Sequence, residues 1–131
     1  MIMLDTNICI YVLKERPLSV LKAFEAVDSL HISSIVYAEL WSGIEQSPAK
    51  TKDERKEQLI QFLSLLNVHS WDESAGEEYA RLHLYLKRKG MIIGNMDLLI
   101  ASHAKSLDAT LVTNNVREFE RVKGLDIENW V

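Results

Sequence analysis

The sequence predicts an α/β fold, a doubly wound and mostly parallel sheet of four to five strands with helices on both faces. One observation is that short apolar segments alternate along the chain with longer segments that carry apolar residues at helical spacing. A second is that helix-capping residues follow the first two short segments, at Thr6-Asn7 and Ser33-Ser34. The 131 residues contain no repeat and no linker, so residues 1–131 are expected to form one domain with its own core.

Prolines and capping residues set the expected boundaries in the first half of the chain. Arg16-Pro17 ends the first helix and Ser47-Pro48 ends the third, because proline cannot continue a helix. The predicted elements are, in order, a strand over 2–5, a helix from Thr6 or Asn7 to about Lys14, a helix capped by Ser19 and running through Val27, a strand over 31–33, and a helix from Ser33 or Ser34 to Ser47.

Helical spacing and one glycine organise the second half. Apolar residues recur at helical spacing in the segment 52–66, and Gly90 stops a later helix. The predicted elements are a helix over Lys52–Leu66, a strand over Asn67–Trp71, a helix over Glu73–Lys89, a helix over 95–107, a strand over Thr110–Thr113, a short helical turn over Asn115–Glu120 and an edge strand over Asp126–Trp130.

Composition narrows the class of protein. Hydrophobic residues make up 47% of the chain and charged residues 26%, which are ordinary values for a globular domain. No apolar run reaches the roughly 18 residues that a membrane span needs, and no basic segment followed by a long apolar run opens the chain. A single cysteine, Cys9, rules out an internal disulfide. These features predict a cytoplasmic protein without a membrane partner.

The net charge of −4 weighs against nucleic-acid binding by bulk charge, because nucleic-acid binders usually carry a basic excess. Local basic clusters can still supply phosphate contacts, and the alternative is that each is a solvated helix face. The two clusters are Lys50, Lys52, Arg55 and Lys56, and Arg81, Lys87, Arg88 and Lys89.

Carboxylates placed beside apolar residues are the main functional signal. Asp5 ends the first strand, whereas Glu39 and Asp97 lie among the apolar residues of two helices. An ionised carboxylate in apolar surroundings is costly unless a positive charge compensates it, and neither apolar stripe carries a Lys or Arg. In an open parallel sheet ligands bind where strands end, and Thr113 ends the fourth strand. We therefore expect the three acids to converge on one cation, a hard divalent metal held through oxygen.

Each acid also has a purely structural interpretation. Asp5 can cap the helix that follows it, and Asp97 can cap its own helix after Gly94-Asn95. Glu39 can form a buried ion pair with a distant Arg, and Glu118 can be a surface acid. The joint pattern favours a shared site, because four separate explanations would otherwise be needed.

Four motifs of the chain form one combined pattern. They are Met3-Leu4-Asp5-Thr6-Asn7, Tyr37-Ala38-Glu39-Leu40, Ile93-Gly94-Asn95-Met96-Asp97-Leu98-Leu99-Ile100-Ala101, and Leu111-Val112-Thr113-Asn114-Asn115 followed by Arg117-Glu118-Phe119. Together these motifs resemble the PIN-domain ribonucleases, and most of all the VapC toxins of bacterial toxin–antitoxin pairs. The resemblance spans nearly the whole chain, and the motifs are weak singly but specific in combination.

The resemblance implies a PIN-like sheet and an endoribonuclease that depends on Mg²⁺ or Mn²⁺. Such an ion activates a water and neutralises charge on the phosphate. The family's acids map to Asp5, Glu39 and Asp97. Many PIN domains carry Asp where this chain has Asn115, so Glu118 supplies the fourth carboxylate or it is absent, and Asn115 can bind a metal-bound water.

Neighbouring polar residues are expected to support the acids. The hydroxyls of Thr6 and Thr113 would orient waters, and Asn7 would fix Asp5 by a side-chain hydrogen bond.

The resemblance also implies the partners. The substrate is expected to be RNA with an exposed loop, and the tRNA anticodon stem-loop, initiator tRNA first, fits that class. We expect a homodimer whose two sites face one cleft, and a VapB-like antitoxin that inserts Arg or Lys near Asp5 and Asp97. The complex would be a heterotetramer or larger, and operator DNA would be bound only through the antitoxin. Exposed apolar positions on the helix over Lys52–Leu66 would serve these contacts, unless that helix packs only on its own domain.

Two other function classes compete with the nuclease. An aspartyl-phosphate phosphatase also begins with a strand that ends in Asp, but it needs a second Asp where this chain has Asn7. A non-catalytic partner-binding module is the other class, and it would show no metal-dependent activity.

Overall fold

The sheet has five parallel strands. The computed structural model describes residues 1–131, and its strands are β1 (Ile2–Leu4), β2 (Leu30–Ser33), β3 (Leu66–His69), β4 (Thr110–Val112) and β5 (Asp126–Glu128). They lie in the order β3-β2-β1-β4-β5, and every neighbouring pair is parallel. The predicted doubly wound sheet is confirmed, with five strands.

Seven helices connect the strands and cover the sheet. They are α1 (Thr6–Glu15), α2 (Leu18–Glu25), α3 (Ser34–Glu45), α4 (Ala49–Leu63), α5 (Glu73–Lys89), α6 (Asn95–Ser106) and α7 (Val116–Phe119). Right-handed crossovers place α1 to α4 on one face of the sheet and α5 to α7 on the other. The helix contacts follow this division, since α1, α3 and α4 touch one another while α5 packs along α6. No helix is both long enough and apolar enough to cross a membrane.

The core lies between the sheet and its helices. The two central strands are the most apolar, and Met3, Leu4, Leu111 and Val112 are fully buried. They belong to one cluster of 25 buried apolar residues, so a single core supports the whole sheet. Strands buried on both faces read as continuous apolar runs, which explains why β1 and β4 are visible in the sequence.

Several element boundaries differ from the sequence prediction. Ser19 does not cap α2, because Pro17 occupies the N-cap position and its carbonyl accepts the N–H of Leu21 at 3.0 Å. Helix α4 ends at Leu63, before the predicted end, because Leu66 must already be extended to pair with Leu30 of β2.

Four strands also end earlier than predicted, and two of them, β1 and β4, end only one residue early. Strand β3 ends at His69 because Trp71 leaves the sheet, donating its backbone N–H to Ser34 Oγ and its indole N–H to the Leu99 carbonyl. Strand β5 ends at Glu128, before the predicted Trp130.

The expected apolar face of α4 is partly covered by its own domain. Leu59 and Phe62 are buried in the core cluster. Ile60 remains 46% exposed, and Leu65, just beyond the helix, is 74% exposed. The helix thus packs on its own domain through Leu59 and Phe62, and its use as an interface through Ile60 and Leu65 stays a prediction.

The strand order reverses between β1 and β4. The chain moves from β1 to β2 and β3 on one side, and later returns to place β4 and β5 on the other side. In such sheets the crevice at the carboxyl ends of the two strands is the usual ligand site. Asp5 directly follows β1 and Thr113 directly follows β4, so the sequence delivers polar residues to that crevice.

Candidate active site

Asp5 forms the floor of the crevice. It is fully buried and is the N-cap of α1, where its Oδ1 accepts the backbone N–H of Ile8 at 2.8 Å. Its Oδ2 accepts the hydroxyl hydrogen of Thr113 at 2.5 Å. The capping interpretation and the site interpretation of Asp5 are therefore compatible, because each carboxylate oxygen serves a different neighbour.

Glu39 enters the crevice from the middle of α3. The hydroxyl of Thr6 donates to Glu39 Oε1 at 2.5 Å, which ties this side chain to the residue after Asp5. Glu39 is half-buried, although the apolar stripe around it suggested full burial. The sequence also allowed Glu39 to form a buried ion pair with a distant Arg. The structure excludes this alternative, because no Arg or Lys forms an ion pair with Glu39.

Asp97 and Glu118 face each other across Gly94. Asp97 lies in the first turn of α6 and is also half-buried. Glu118 Oε1 accepts the backbone N–H of Gly94 at 2.8 Å, and its Oε2 accepts the side-chain amide of Asn115 at 2.9 Å. A Cβ built on Gly94 would stand 3.5 Å from Asp97 Oδ2 and 3.6 Å from Glu118 Oε1, so both carboxylates crowd this one glycine.

Repulsion among the four carboxylates is strongest at Asp97. Burial raises the pKa of Asp97, the charge of Glu118 and a hydrogen bond to it raise it further, and Asp5 and Glu39 add to the shift, which takes it to about 7. Burial also raises the pKa of Asp5; hydrogen bonds from Thr113 and Ile8 oppose that rise, and the charge of Glu39 adds to it.

Glu118 responds in the opposite direction. The Gly94 N–H is the main cause that lowers the pKa of Glu118, with help from Asn115, Asp97 and Arg121. The pKa values of this pair are therefore shifted apart, with Asp97 the member that is protonated more readily.

The supporting residues behave differently from the sequence prediction. Thr113 and Thr6 donate their hydroxyl hydrogens directly to carboxylates, whereas the sequence suggested that they orient waters. The prediction for Asn7 was wrong: Asn7 is exposed, and Asp5 is held by Thr113 and the Ile8 N–H. Helix capping explains this, because the N-cap carboxylate of Asp5 bonds the backbone amide three residues on and does not need the side chain of Asn7.

The donor chemistry of the site suits a hard divalent cation. The four side chains offer only carboxylate oxygens, and their repulsion would be relieved by a positive charge. In the present arrangement, no group of three or more His, Cys, Asp or Glu side chains could hold one metal ion. Mg²⁺ takes one or two carboxylates directly and keeps several waters. The site therefore fits an ion bound by two carboxylates and reached by the others through water.

Comparison with known proteins identifies the family of this fold and site. A family model described as the PIN domain matches residues 2–125. The chain belongs to the PIN-domain family. Within it, the Rickettsia felis protein named Ribonuclease VapC2 is 45% identical over 131 residues, covering 98% of this chain and 96% of that protein. The Shigella flexneri protein named tRNA(fMet)-specific endonuclease VapC is 41% identical over 130 residues, with coverage of 98% and 96%.

Solved structures include chains with the same fold as this PIN domain. VapBC2 from Rickettsia felis, bound to a DNA fragment from its promoter, contains a chain that superposes with a TM-score of 0.95, is 43% identical and is covered completely. DNA-bound VapBC from Salmonella typhimurium contains another, with a TM-score of 0.95, 38% identity, and coverage of 99% of this chain and 98% of that one. The PIN domain described here is thus similar over its full length to chains found in VapBC complexes.

Sequence reasoning missed one component of this PIN-domain site. The Gly94 N–H orients Glu118 across 24 residues. The sequence signal for this bond was Gly94 itself, a glycine immediately before α6, where a backbone N–H without a helical partner is expected. That pattern alone does not identify Glu118 as the acceptor.

Proposed function

We propose that this protein is a toxic, metal-dependent endoribonuclease of a toxin–antitoxin pair that hydrolyses a phosphodiester bond in RNA. One observation carries the proposal: four carboxylates from separate elements meet at the crevice between β1 and β4, where mutual repulsion raises the pKa of Asp97 to about 7. The names of relatives at 41–45% identity support the same activity.

The proposal gives each residue a role. Asp5, Glu39 and Asp97 would hold Mg²⁺ or Mn²⁺, two of them directly and the third through water, and the ion would supply an activated water and charge neutralisation at the phosphate. Thr113 holds Asp5 and Thr6 holds Glu39 in place through hydroxyl hydrogen bonds.

Glu118 acts as the fourth carboxylate in this proposal. It is held by the Gly94 N–H and the Asn115 side-chain amide, and its charge raises the pKa of Asp97. Asn115 then acts by positioning Glu118. The sequence left these two residues as alternatives for completing the site, and the proposal gives them different roles.

The proposed substrate is a tRNA anticodon loop, with initiator tRNA as the first choice. Two relatives at 41% identity are named tRNA(fMet)-specific endonucleases. A protein site reads unstacked bases in a loop far better than bases inside an A-form helix, so a loop is the expected target within a folded RNA.

The proposed partners are a VapB-like antitoxin and a second copy of this chain. Chains that superpose on this one occur in DNA-bound VapBC structures, one of them with promoter DNA, and we propose that a heterotetramer or larger complex binds operator DNA through the antitoxin. A basic antitoxin side chain near Asp5 and Asp97 would relieve the repulsion there and compete with the metal ion. We place these events in the cytoplasm.

Cleavage assays on a defined RNA test the activity. The purified protein with Mn²⁺ or Mg²⁺ should cut initiator tRNA within the anticodon loop, and a chelator should abolish the cut, which sequencing of the new RNA ends would locate. Asp97→Asn should remove cleavage, whereas Asp28→Asn, the same chemical change at an exposed loop position, should keep it. Equal cleavage by Asp97→Asn and wild type would overturn the proposal.

A further inference from the structure

A second feature opens beside the carboxylates, on the face of the sheet covered by α1, α3 and α4. It is a groove of about 700 Å³ with an apolar floor and three cations on its walls. Lys14 and Arg16 come from the end of α1 and Arg55 comes from α4, and we call this feature the cationic groove. Glu39 is the only acid that lines it, and Glu39 also belongs to the carboxylate site, so the groove and the site share one boundary.

The three cations of the groove have no acidic partner. The ion pairs of the structure are Lys52 with Glu45, and Arg81 and Lys105 with Glu78. Arg55 donates one long hydrogen bond, of 3.3 Å, to Ser47 Oγ. Three cations without an acidic partner therefore line one groove of a chain whose net charge is −4, and they attract anions to that groove.

The backbone at Arg16 adds a second indication. Arg16 is the C-cap of α1 in the left-handed region, with φ of 46°, a position that glycine usually occupies. A non-glycine residue there is strained, and such strain persists where the side chain serves a purpose. The side chain held at this position lines the groove.

We propose that the cationic groove binds backbone phosphates of the RNA substrate on one side of the cleaved bond. The inference rests on the proposed function, because it concerns the same RNA. Helix α1 begins at Thr6, beside Asp5, and reaches Arg16 ten residues later, about 15 Å away at 1.5 Å per residue. An RNA strand that leaves the carboxylate site past Glu39 therefore meets the three cations within a few nucleotides.

Charge complementarity favours RNA over other occupants. The carboxylate site repels an RNA strand until metal is bound, so a net-negative nuclease needs separate cations to hold the substrate. The cationic groove supplies three of them next to the site, while its apolar floor leaves room for a splayed base.

Replacing the three cations of the groove with neutral residues tests whether the groove binds RNA phosphates. RNA binding would be measured in an Asp97→Asn background with an initiator-tRNA anticodon stem-loop, over a range of salt concentrations. Adding Lys14→Gln, Arg16→Gln and Arg55→Gln should weaken binding at least about tenfold and lower the salt slope by about 2, since each single-strand phosphate contact contributes about 0.7.

A matched control separates the groove from bulk charge. Lys87→Gln, Arg88→Gln and Lys89→Gln change the net charge by the same amount at the exposed end of α5. This control should bind RNA nearly as tightly as the parent. Equal losses in the two triple variants would overturn the inference, because bulk charge would then explain both.

Gly43 permits a second test that leaves every charge in place. It lines the groove from α3, and a Cβ built on it meets no atom within 4 Å. Gly43→Leu would narrow the groove, and it should not unfold the protein because leucine favours a helix more than glycine does. RNA binding should fall about tenfold or more with Gly43→Leu, whereas Gly43→Ala, which also favours the helix but adds only one methyl group to the groove, should bind RNA more tightly than Gly43→Leu does.

The outcomes distinguish this inference from the proposed function. If wild type cleaves RNA and the groove variants bind RNA as the parent does, the function stands and the inference fails. If RNA binding depends on the groove but wild type cleaves nothing, the inference stands and the function fails. If the groove variants lose binding to a protein partner and keep RNA affinity, the groove is a protein interface and the inference is wrong.

Discussion

Thr113 donates its hydroxyl hydrogen to the buried carboxylate of Asp5 across 108 residues of sequence, at an oxygen–oxygen distance of 2.5 Å. This bond joins the ends of β1 and β4, the two strands between which the order of the sheet reverses. The same hydroxyl accepts the Asn115 N–H at 2.8 Å, so Thr113 also shapes the loop that leads to Glu118. One threonine thus connects two of the four carboxylates.

Removing this hydroxyl should damage both stability and activity. Thr113→Val keeps the shape but leaves buried Asp5 with one hydrogen bond fewer, and a hydrogen bond to a charged group contributes about 1.5–3 kcal/mol. We expect a loss of that order in the free energy of unfolding, measured by urea denaturation at pH 7, together with a large fall in RNA cleavage. Thr113→Ser keeps the hydroxyl and should retain most of both properties, so equal losses in the two variants would contradict the prediction.

Replacing Asp97 should stabilise the metal-free protein at high pH. The pKa of Asp97 is raised from 3.8 to about 7, so the folded state binds more protons than the unfolded state between these values. Stability from this group is therefore present at low pH and lost as the pH rises from about 4 to 7. Asp97→Asn removes that loss. The variant should gain on the order of 1–2 kcal/mol in the free energy of unfolding at pH 8, after allowance for the partial exposure of Asp97 and for its coupled titration with Glu118.

Urea denaturation at pH 5 and pH 8 measures this gain. The difference between Asp97→Asn and wild type should grow as the pH rises, and cleavage should be lost at every pH. Asp28→Asn, at an exposed position, should show no pH-dependent gain. A gain that stayed constant with pH would mean that repulsion at Asp97 is not its cause.

Neutralising Glu118 should lower the pKa of Asp97. Glu118 is the nearest charge that opposes ionisation of Asp97, and Glu118→Gln removes it while an amide oxygen can still accept the Gly94 N–H. Carbon-13 NMR titration of the Asp97 carboxyl should show the midpoint moving down from about 7 toward the usual range. Glu120→Gln, an exposed change two residues later, should leave the midpoint unchanged.

Three histidines should make the fold sensitive to mild acid. His31 Nδ1 lies 2.7 Å from His69 Nε2, and His103 Nδ1 lies 2.7 Å from Ser33 Oγ. Burial lowers the pKa of His31, with further lowering by His69 and the N-terminal amino group. Burial is also the main cause that lowers the pKa of His103; His69 lowers it further and Asp72 opposes this.

The sign of the effect follows from these shifts. The stability tied to neutral His31 and His103 is present above about 6.5 and is lost as the pH falls below that value. His31→Gln should therefore reduce the loss of stability between pH 7 and pH 5, measured by thermal unfolding. His83→Gln, at an exposed position on α5, is the matched control and should reproduce the wild-type pH profile.

The sequence alone predicted the order of the elements and suggested the four acids as a candidate site. Apolar periodicity and local caps specify β1, α1 and α5, because each depends on neighbours within a few residues, such as Asp72 capping α5 and Gly90 ending it. The alternation of strands and helices then restricts the topology to a parallel doubly wound sheet. Acids beside apolar residues could be selected as candidate site residues from local sequence as well. The free-energy cost of burying an ionised carboxylate can be inferred from its apolar neighbours in the chain.

Only the tertiary structure decided what each acid touches. The bonds from Thr6 to Glu39 and from Thr113 to Asp5 span 33 and 108 residues, and no spacing rule connects such partners. The contact between His31 and His69 likewise depends on the register of β2 against β3. The choice of Asn7 as the partner of Asp5 was wrong because proximity in sequence was the only guide to it. Burial and mutual charge are sums over residues distant in the chain, so the raised pKa of Asp97 came into being only when folding brought four carboxylates to one crevice.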